Sequence, residues 1–350
     1  MCFLPSWPCT GVAPREGQPI EADIAVVNEV FILDILLIYA LLKGIATGTC
    51  LFLVGDAGQL PSVGAGNVLS DIIHSEAVPV VRLDQIFRQG AGSAIITNAH
   101  RINRGLLPLT GGEIRDFFFF KEDAPEQAGE PVVELVSRRI PQKFGFKAEE
   151  IQVLAPMHRG KAGVGYLNEK LQAVLNPSSP HKPEKQYGAR FFRMGDKVLQ
   201  LRNNYDKQVY NGDGGTIMAI SLEEQAVRVR LEDEREVEYD FGELDELTLA
   251  YAVSIHKSQG SEYPVVVVPV AMSHFMLLER KLIYTAVTRA KKLVVMVGSK
   301  KALVMAVKNG PRVKAEVENE GKAGTSDSSG SKQHRAGRYT GLAIRLSQPG

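Results

Sequence analysis

An arginine at the end of a short helix, Arg289 in LIYTAVTRAKKLVVMVG, carries the chemistry most easily named. Its planar, permanently charged fork suits two phosphate oxygens at once. Arg88 in LDQIFRQ offers the same group. Near the start of the chain the apolar run IAVV ends in Asn28 and Glu29, an amide beside a carboxylate. Glu29 can deprotonate a water or touch a metal ion. Asn28 reaches a hard cation such as Mg²⁺ only weakly, through a bound water, because Mg²⁺ prefers carboxylate oxygen. Asp56 and Gln59 follow the run LFLVG in the glycine-containing loop GDAGQLPSVGAG. His256, Lys257, Ser258, Gln259, Gly260 and Glu262 lie together in HKSQGSEYP, and Arg159 and Lys161 in PMHRGKAG. Arg202, Asn203, Asn204 and Tyr205 open RNNYDKQVYNGDGG, a mixture of charge, amide and ring suited to holding a backbone and stacking a base.

The elements that must position these groups follow from the apolar pattern. Leu282, Ile283 and Ala286 recur at helical spacing, and LVVMVG after them is a continuous run of the kind found in strands covered on both faces. IAVV, LFLVG, IQVLA and VVVVPV read the same way, which predicts parallel sheets with the polar loops at their carboxyl edges, where open α/β folds bind ligands. A helix from Leu33 to Lys43, a third short strand from Val80 to Leu83, an amphipathic helix ending at Gly105 and a helix from Val132 to Arg139 complete the first half. From about Tyr187 short alternating stretches with Asn211-Gly212 and Gly214-Gly215 turns predict a small antiparallel barrel. Leu247 to Ile255 returns to the parallel sheet. Two glycine motifs are decoys. GAGNVL does not follow a strand, and GKAG has Ala155 where a phosphate loop needs its first glycine and Ala162 where it needs Ser or Thr.

The 350 residues, 44% apolar and 23% charged, have an ordinary globular composition and room for two or three domains. Ten lysines and arginines against four acids follow Ser299, so the tail is basic. Cys2, Cys9 and Cys50 have no metal-ligand spacing and suit free thiols in a reducing compartment. No apolar run reaches membrane-spanning length, and the start of the chain has no basic leader, so a cytoplasmic protein away from membranes is expected.

GDAGQLPSVGAG, FRQ, HKSQGSEYP, YTAVTRA and RYTGLAIRL, with a barrel between the second and third, stand in the order of the motifs of RecD-like superfamily 1 helicases of the long RecD family. The chain, from about residue 18 to residue 346, resembles that family. The resemblance implies two RecA-like parallel-sheet domains of the P-loop NTPase type, the first incomplete, with an inserted SH3-like β-barrel. The expected limits are 1–85 for the first domain, 86–186 with 243–308 for the second, 187–242 for the barrel and 309–350 for a flexible basic tail open to a protein partner. It further implies ATP and Mg²⁺ as cofactors, single-stranded DNA as partner, and 5′ to 3′ unwinding in recombination and repair. Catalytic roles fall on Glu29, Gln59, Arg88 and Arg289. Asn28, Asp56, Gln59, Arg88, Gly260, Glu262 and Arg289 would approach the nucleotide. Arg159, Lys161, Asn204, Tyr205, His256, Lys257, Ser258 and Gln259 would meet DNA. An arginine that reaches across to a phosphate is expected to stay partly solvated.

The chain departs from the family pattern at the nucleotide. No GxxxxGK[ST] occurs in it, Asn28 stands where an aspartate is usual, Phe31 where a small hydroxyl residue is usual, and Gly58 where an aspartate is usual. These departures suggest the C-terminal portion of such a helicase, truncated or degenerate and by itself inactive. The alternative is a non-catalytic nucleic-acid-binding protein derived from one.

Overall fold

The computed structural model describes residues 19–83, 93–122 and 129–310, which fall into two compact units. In the unit built from residues 19–83, strand β1 (Ile24–Val27) pairs in parallel with β2 (Cys50–Leu53), Val26 lying opposite Phe52. Helix α1 (Ile35–Lys43) starts where it does because the Asp34 carboxylate accepts hydrogen bonds from the Leu36 and Leu37 backbone N–H groups at 3.0 and 2.8 Å. Helix α2 (Val68–Ser75) supplies Leu69, which packs with Val30, Phe31, Val27 and Leu53 on one face of the two-stranded sheet. The other face leaves Ile24, Val26 and Phe52 exposed, although parallel sheets are ordinarily covered on both sides. Residues 80–83, expected as a third strand, have no ladder partner among the described residues, and Val81 and Leu83 stand in solvent.

The second unit begins with α3 (Ala94–Asn103), which ends before Gly105, in the left-handed conformation at φ 78°. Strand β3 (Phe117–Lys121) follows, then α4 (Gly129–Glu134), a π-helical turn over Leu135–Arg139, and α5 (Ile140–Phe144). The helix expected to stop at Arg139 therefore runs on. Pro141 has no N–H and its ring crowds the preceding turn, and the wider π turn accommodates it. Strand β4 (Ile151–Ala155) and α6 (Val164–Leu175) lead to a hairpin of β5 (Glu184–Tyr187) and β6 (Arg190–Arg193). Then come β7 (Lys197–Gln200), β8 (Gly214–Ser221), β9 (Ala226–Leu231), β10 (Glu236–Asp240) and β11 (Leu247–Leu249). These five form one antiparallel sheet in the order β10-β9-β8-β7-β11. Leu247–Leu249 thus belongs to this insert and not to the parallel sheet, because its partner is β7.

The chain regains the parallel sheet at β12 (Ala252–Ser254) and continues through β13 (Tyr263–Val270), α7 (Arg280–Thr288), β14 (Ala290–Gly298) and α8 (Lys300–Lys308). The sheet order is β12-β4-β13-β14-β3, all pairs parallel. This is a RecA-like α/β sheet carrying an SH3-like insert. Val265, Val267, Leu293 and Val295 of the sheet share a core with Phe192, Val198, Ile217 and Val229 of the insert. At the junction the fully buried Asp196 carboxylate accepts from Gln172 Nε2 and Asn176 Nδ2, both at 2.6 Å, from Tyr251 Oη at 2.9 Å and from the Arg193 N–H at 2.7 Å. Burial pushes its pKa up and these donors pull it back. Four donors are what makes a buried carboxylate tolerable.

After β13 a single turn, Met272–His274, buries His274 to 1% exposure with no hydrogen-bond partner for either ring nitrogen among the described residues. Burial pulls its pKa down from 6.5 to about 4. Between those values the unfolded chain binds a proton at His274 that the folded chain does not. This group therefore contributes its full stability above pH 6.5 and loses it as pH falls toward 4, by about 1.4 kcal/mol per pH unit at most. His274→Leu removes that dependence. In urea unfolding at stepped pH, the free-energy difference between variant and wild type should move in the variant's favour as pH falls through this window, and a constant difference would refute the assignment.

Candidate functional site

In the first unit β1 and β2 run parallel, so Asn28, Glu29 and Asp56 emerge at one carboxyl edge. The edge is closed by Val54 N–H donating to Val27 O at 2.8 Å and Val30 N–H donating to Val54 O at 3.0 Å. Glu29 is held left-handed at φ 60° and ψ 34°, and its Oε2 is buried without a hydrogen bond. A non-glycine residue in that region costs about 1 kcal/mol or more and persists where its surroundings enforce it. Asn28 is exposed. Asp56 is turned inward, its Oδ1 accepting from Gly58 N–H at 2.9 Å and its Oδ2 from Gln59 Nε2 at 3.3 Å. Gln59 is 7% exposed. Among the described residues no three His, Cys, Asp or Glu side chains gather as a metal site. One strained carboxylate and an amide do not make the oxygen-rich set that Mg²⁺ needs, so these residues alone do not fit the ion.

In the second unit Arg289 caps the end of α7 and is 5% exposed, which corrects the expectation of a solvated guanidinium. Its Nη1 donates to the Ser261 carbonyl at 3.2 Å, and its own carbonyl accepts from Tyr263 N–H at 2.8 Å. The burial has a topological cause. Tyr263 lies opposite Ala290 at the start of the β13–β14 ladder, so the segment before β13 passes over the end of α7. Gly260 makes that passage in the left-handed region at φ 80°. Glu262 meets Lys291 Nζ at 3.2 Å on the same edge. Ser261 is invisible to motif reading because it meets Arg289 through its backbone carbonyl and not through its side chain. This cluster sits at the amino edge of the sheet, so HKSQGSEYP does not lie wholly at the carboxyl edge as its position between strands suggests.

His256 and Lys257 remain at the carboxyl edge, in the turn Ile255–Ser258 that follows β12. Lys257 is partly buried, burial lowers its pKa, and no carboxylate pairs with it among the described residues. Ser258 is 0% exposed and donates to Ile255 O at 2.8 Å, so it is a turn-forming residue and not a surface contact. Gln259 is partly buried. Arg159 and Lys161 are exposed in the loop after β4. In the insert, Asn204 is spent internally: its Nδ2 faces Glu246 at 3.3 Å and its Oδ1 accepts from Lys207 N–H at 3.2 Å. Tyr205 is 59% exposed and stands edge-on to Tyr210 at 6.3 Å, a ring pair of which only Tyr205 was singled out by its local motif. Arg88 lies outside the described residues, as do Cys2, Cys9 and the tail motif.

Two substitutions test whether Arg289 is built into the fold. Arg289→Ala strips the Ser261 carbonyl of its donor and opens a void, so chemical unfolding should show a loss of about 1–3 kcal/mol. Lys291→Ala, at a side chain 55% exposed, should stay within about 0.5 kcal/mol. Equal effects would mean that Arg289 is not held as described.

Comparison with known proteins adds a family to this geometry. Residues 167–231 match the ATP-dependent RecD-like DNA helicase SH3 domain, residues 249–297 the UvrD-like helicase C-terminal domain, and residues 11–114 an AAA domain. The ATP-dependent RecD2 DNA helicase of Deinococcus radiodurans is 33% identical over 286 residues, which is 81% of this chain and 38% of that protein. The RecBCD enzyme subunit RecD of Mycolicibacterium smegmatis is 32% identical over 298 residues, 81% of this chain and 51% of that protein. A crystal structure of a Bacteroides Pif1 helicase in complex with ADP-AlF3 and ssDNA has a TM-score of 0.49 at 18% identity, covering 83% of this chain and 72% of that one. The chain thus spans about half or less of the length of these curated relatives. The chain belongs to the RecD-like superfamily 1 helicases.

Proposed function

We propose that this chain is the nucleotide-sensing and DNA-gripping part of an ATP-driven 5′ to 3′ DNA helicase of the RecD type, working in recombination and repair. The observation that carries the reading is Arg289, whose guanidinium is buried at the end of α7 and aimed by the Ser261 carbonyl. A charged fork held in place by the Ser261 carbonyl is preorganised for phosphate, and a preorganised donor acts on developing charge without first having to be oriented. ATP would supply the transferred phosphoryl group, and its Mg²⁺ would have to be held by groups other than Asn28 and Glu29 alone. Arg289 of the second unit and Arg88 would neutralise phosphate charge; in the first unit, Glu29 would orient and deprotonate a water, and Gln59, released from Asp56, would sense a phosphate. Gly260 and Glu262 border the nucleotide. His256, Lys257, Gln259, Arg159, Lys161 and Tyr205 hold single-stranded DNA.

The 350 residues by themselves do not turn ATP over, because they contain no phosphate-cradling loop and offer Mg²⁺ an amide at Asn28. That same pairing favours a second reading, a nucleic-acid-binding protein that keeps the DNA track without the motor. In either case single-stranded DNA binding should fall with salt, and Lys257→Ala should weaken it and reduce the slope of log affinity against log salt by about 0.7. Equal slopes would remove Lys257 from the track. A DNA-stimulated ATP turnover by the isolated chain, abolished by Glu29→Gln, would show that the motor is complete and overturn both the inactivity and the second reading.

A further inference from the structure

The turn after β13 presents three large apolar side chains in succession to solvent: Phe275, Met276 and Leu277 are 51, 65 and 40% exposed. A single exposed apolar residue is ordinary, whereas a consecutive run marks a contact surface. The run is not a loose loop. Phe275 N–H donates to Met272 O at 3.1 Å, and Leu277 N–H donates to His274 O at 2.8 Å. His274 on one side and Leu278 on the other are buried to 1% and 0% exposure, and Asn309 Nδ2 holds the Leu278 carbonyl at 2.9 Å. Both ends are pinned, so the three side chains are held outward.

The neighbour of this turn is cationic. β4 and β13 are adjacent parallel strands, so the loop bearing Arg159 and Lys161 leaves the sheet at the same edge. Ala162 of that loop packs against Ala271 at the base of the turn, each 2% exposed. Arg159 and Lys161 are exposed, and no ion pair joins either to a carboxylate among the described residues. An exposed aromatic ring on a turn whose base packs against the loop of these two cations matches a ligand with flat apolar faces and regularly spaced anions. A duplex hides its base faces in its own stack, whereas a single strand offers them. An anionic membrane also combines apolar and negative groups, but it is gripped by an extended amphipathic helix and not by one pinned turn.

We propose that Phe275, with Met276 and Leu277 beside it, is a stacking platform for the bases of single-stranded DNA whose phosphates lie along Arg159 and Lys161. This rests on the DNA-binding reading above and adds a site of different chemistry to it: base faces are read here, independently of the ionic contacts. It gives the strand a salt-insensitive hold on this unit.

The test is fluorescence anisotropy of the full chain with labelled oligodeoxythymidylate and with an abasic oligonucleotide of equal length, over a range of salt. Phe275→Ala should weaken binding to the thymidylate strand about tenfold. It should leave the salt slope and the abasic affinity unchanged, and Phe275→Trp should retain binding. Lys161→Ala should weaken binding to both strands and lower the slope. The platform is refuted if Phe275→Ala binds thymidylate as wild type does, if it loses both strands equally, or if it loses binding to anionic phospholipid vesicles and not to DNA. Wild type that binds neither strand overturns the DNA-binding reading and the platform with it. Wild type that binds well and ignores Phe275 overturns the platform alone.

Discussion

The pairing of β13 with β14, from Tyr263 opposite Ala290 to Val270 opposite Gly298, is the constraint on which the functional half of this molecule depends. It joins the run VVVVPV to LVVMVG in the middle of a five-stranded parallel sheet, and nearly every side chain of both strands is buried. Because the register is fixed at both ends, whatever precedes and follows each strand is fixed too. The amino end brings Gly260, Ser261 and Glu262 over the tip of α7 and closes Arg289 in. The carboxyl end brings the His274 turn beside the loop of Arg159 and Lys161. One ladder thus separates the Arg289 cluster from the loop of Arg159 and Lys161 by the length of a β-strand.

The insert is bound to this sheet by a different logic. Its apolar core is continuous with that of the parallel domain, and the buried Asp196 carboxylate gathers donors from α6 and its C-terminal cap, from the end of β6 and from Tyr251 between β11 and β12. Apolar contact alone tolerates sliding. A buried carboxylate with several donors in fixed directions does not, because each lost bond leaves a buried polar group unsatisfied. The network therefore orients the insert, and with it the exposed Tyr205, relative to the sheet.

The first unit shows the opposite balance. Its two parallel strands bury one face against Val30, Phe31 and Leu69 and leave Ile24, Val26 and Phe52 bare on the other. The strained Glu29 at its edge is held by backbone bonds between the two strand ends. Local hydrogen bonding is sufficient to pose that carboxylate.

Strand and helix identity were legible in the sequence wherever the pattern was strong. Continuous apolar runs predict buried parallel strands, alternating ones predict the insert, and Gly105 predicts the stop of its helix, because periodicity and turn chemistry are local properties. The family was legible for a related reason: a motif is a run of adjacent residues, and FRQ, HKSQGSEYP and YTAVTRA keep their order along the chain. Residues 80–83 have the apolar composition of a strand and form none, since a strand also needs a neighbour, which is a tertiary matter. Leu247–Leu249 looks like a parallel strand and pairs with β7 instead, since hydrogen-bonding partners are not encoded in the apolarity of a three-residue run. Ser258 and Asn204 have the composition of ligand contacts, yet the Ser258 hydroxyl closes its own turn and the Asn204 amide is taken up by Lys207 N–H and the distant Glu246. The burial of Arg289 depends on a backbone carbonyl twenty-eight residues away, which no side-chain pattern announces. Composition and spacing determined which cationic, acidic, amide and aromatic groups this protein has and in what order along the chain. Only the closing of distant segments against one another decided which of them are exposed, which are aimed and which are already spent, because exposure and hydrogen-bond partnership are properties of neighbours in space.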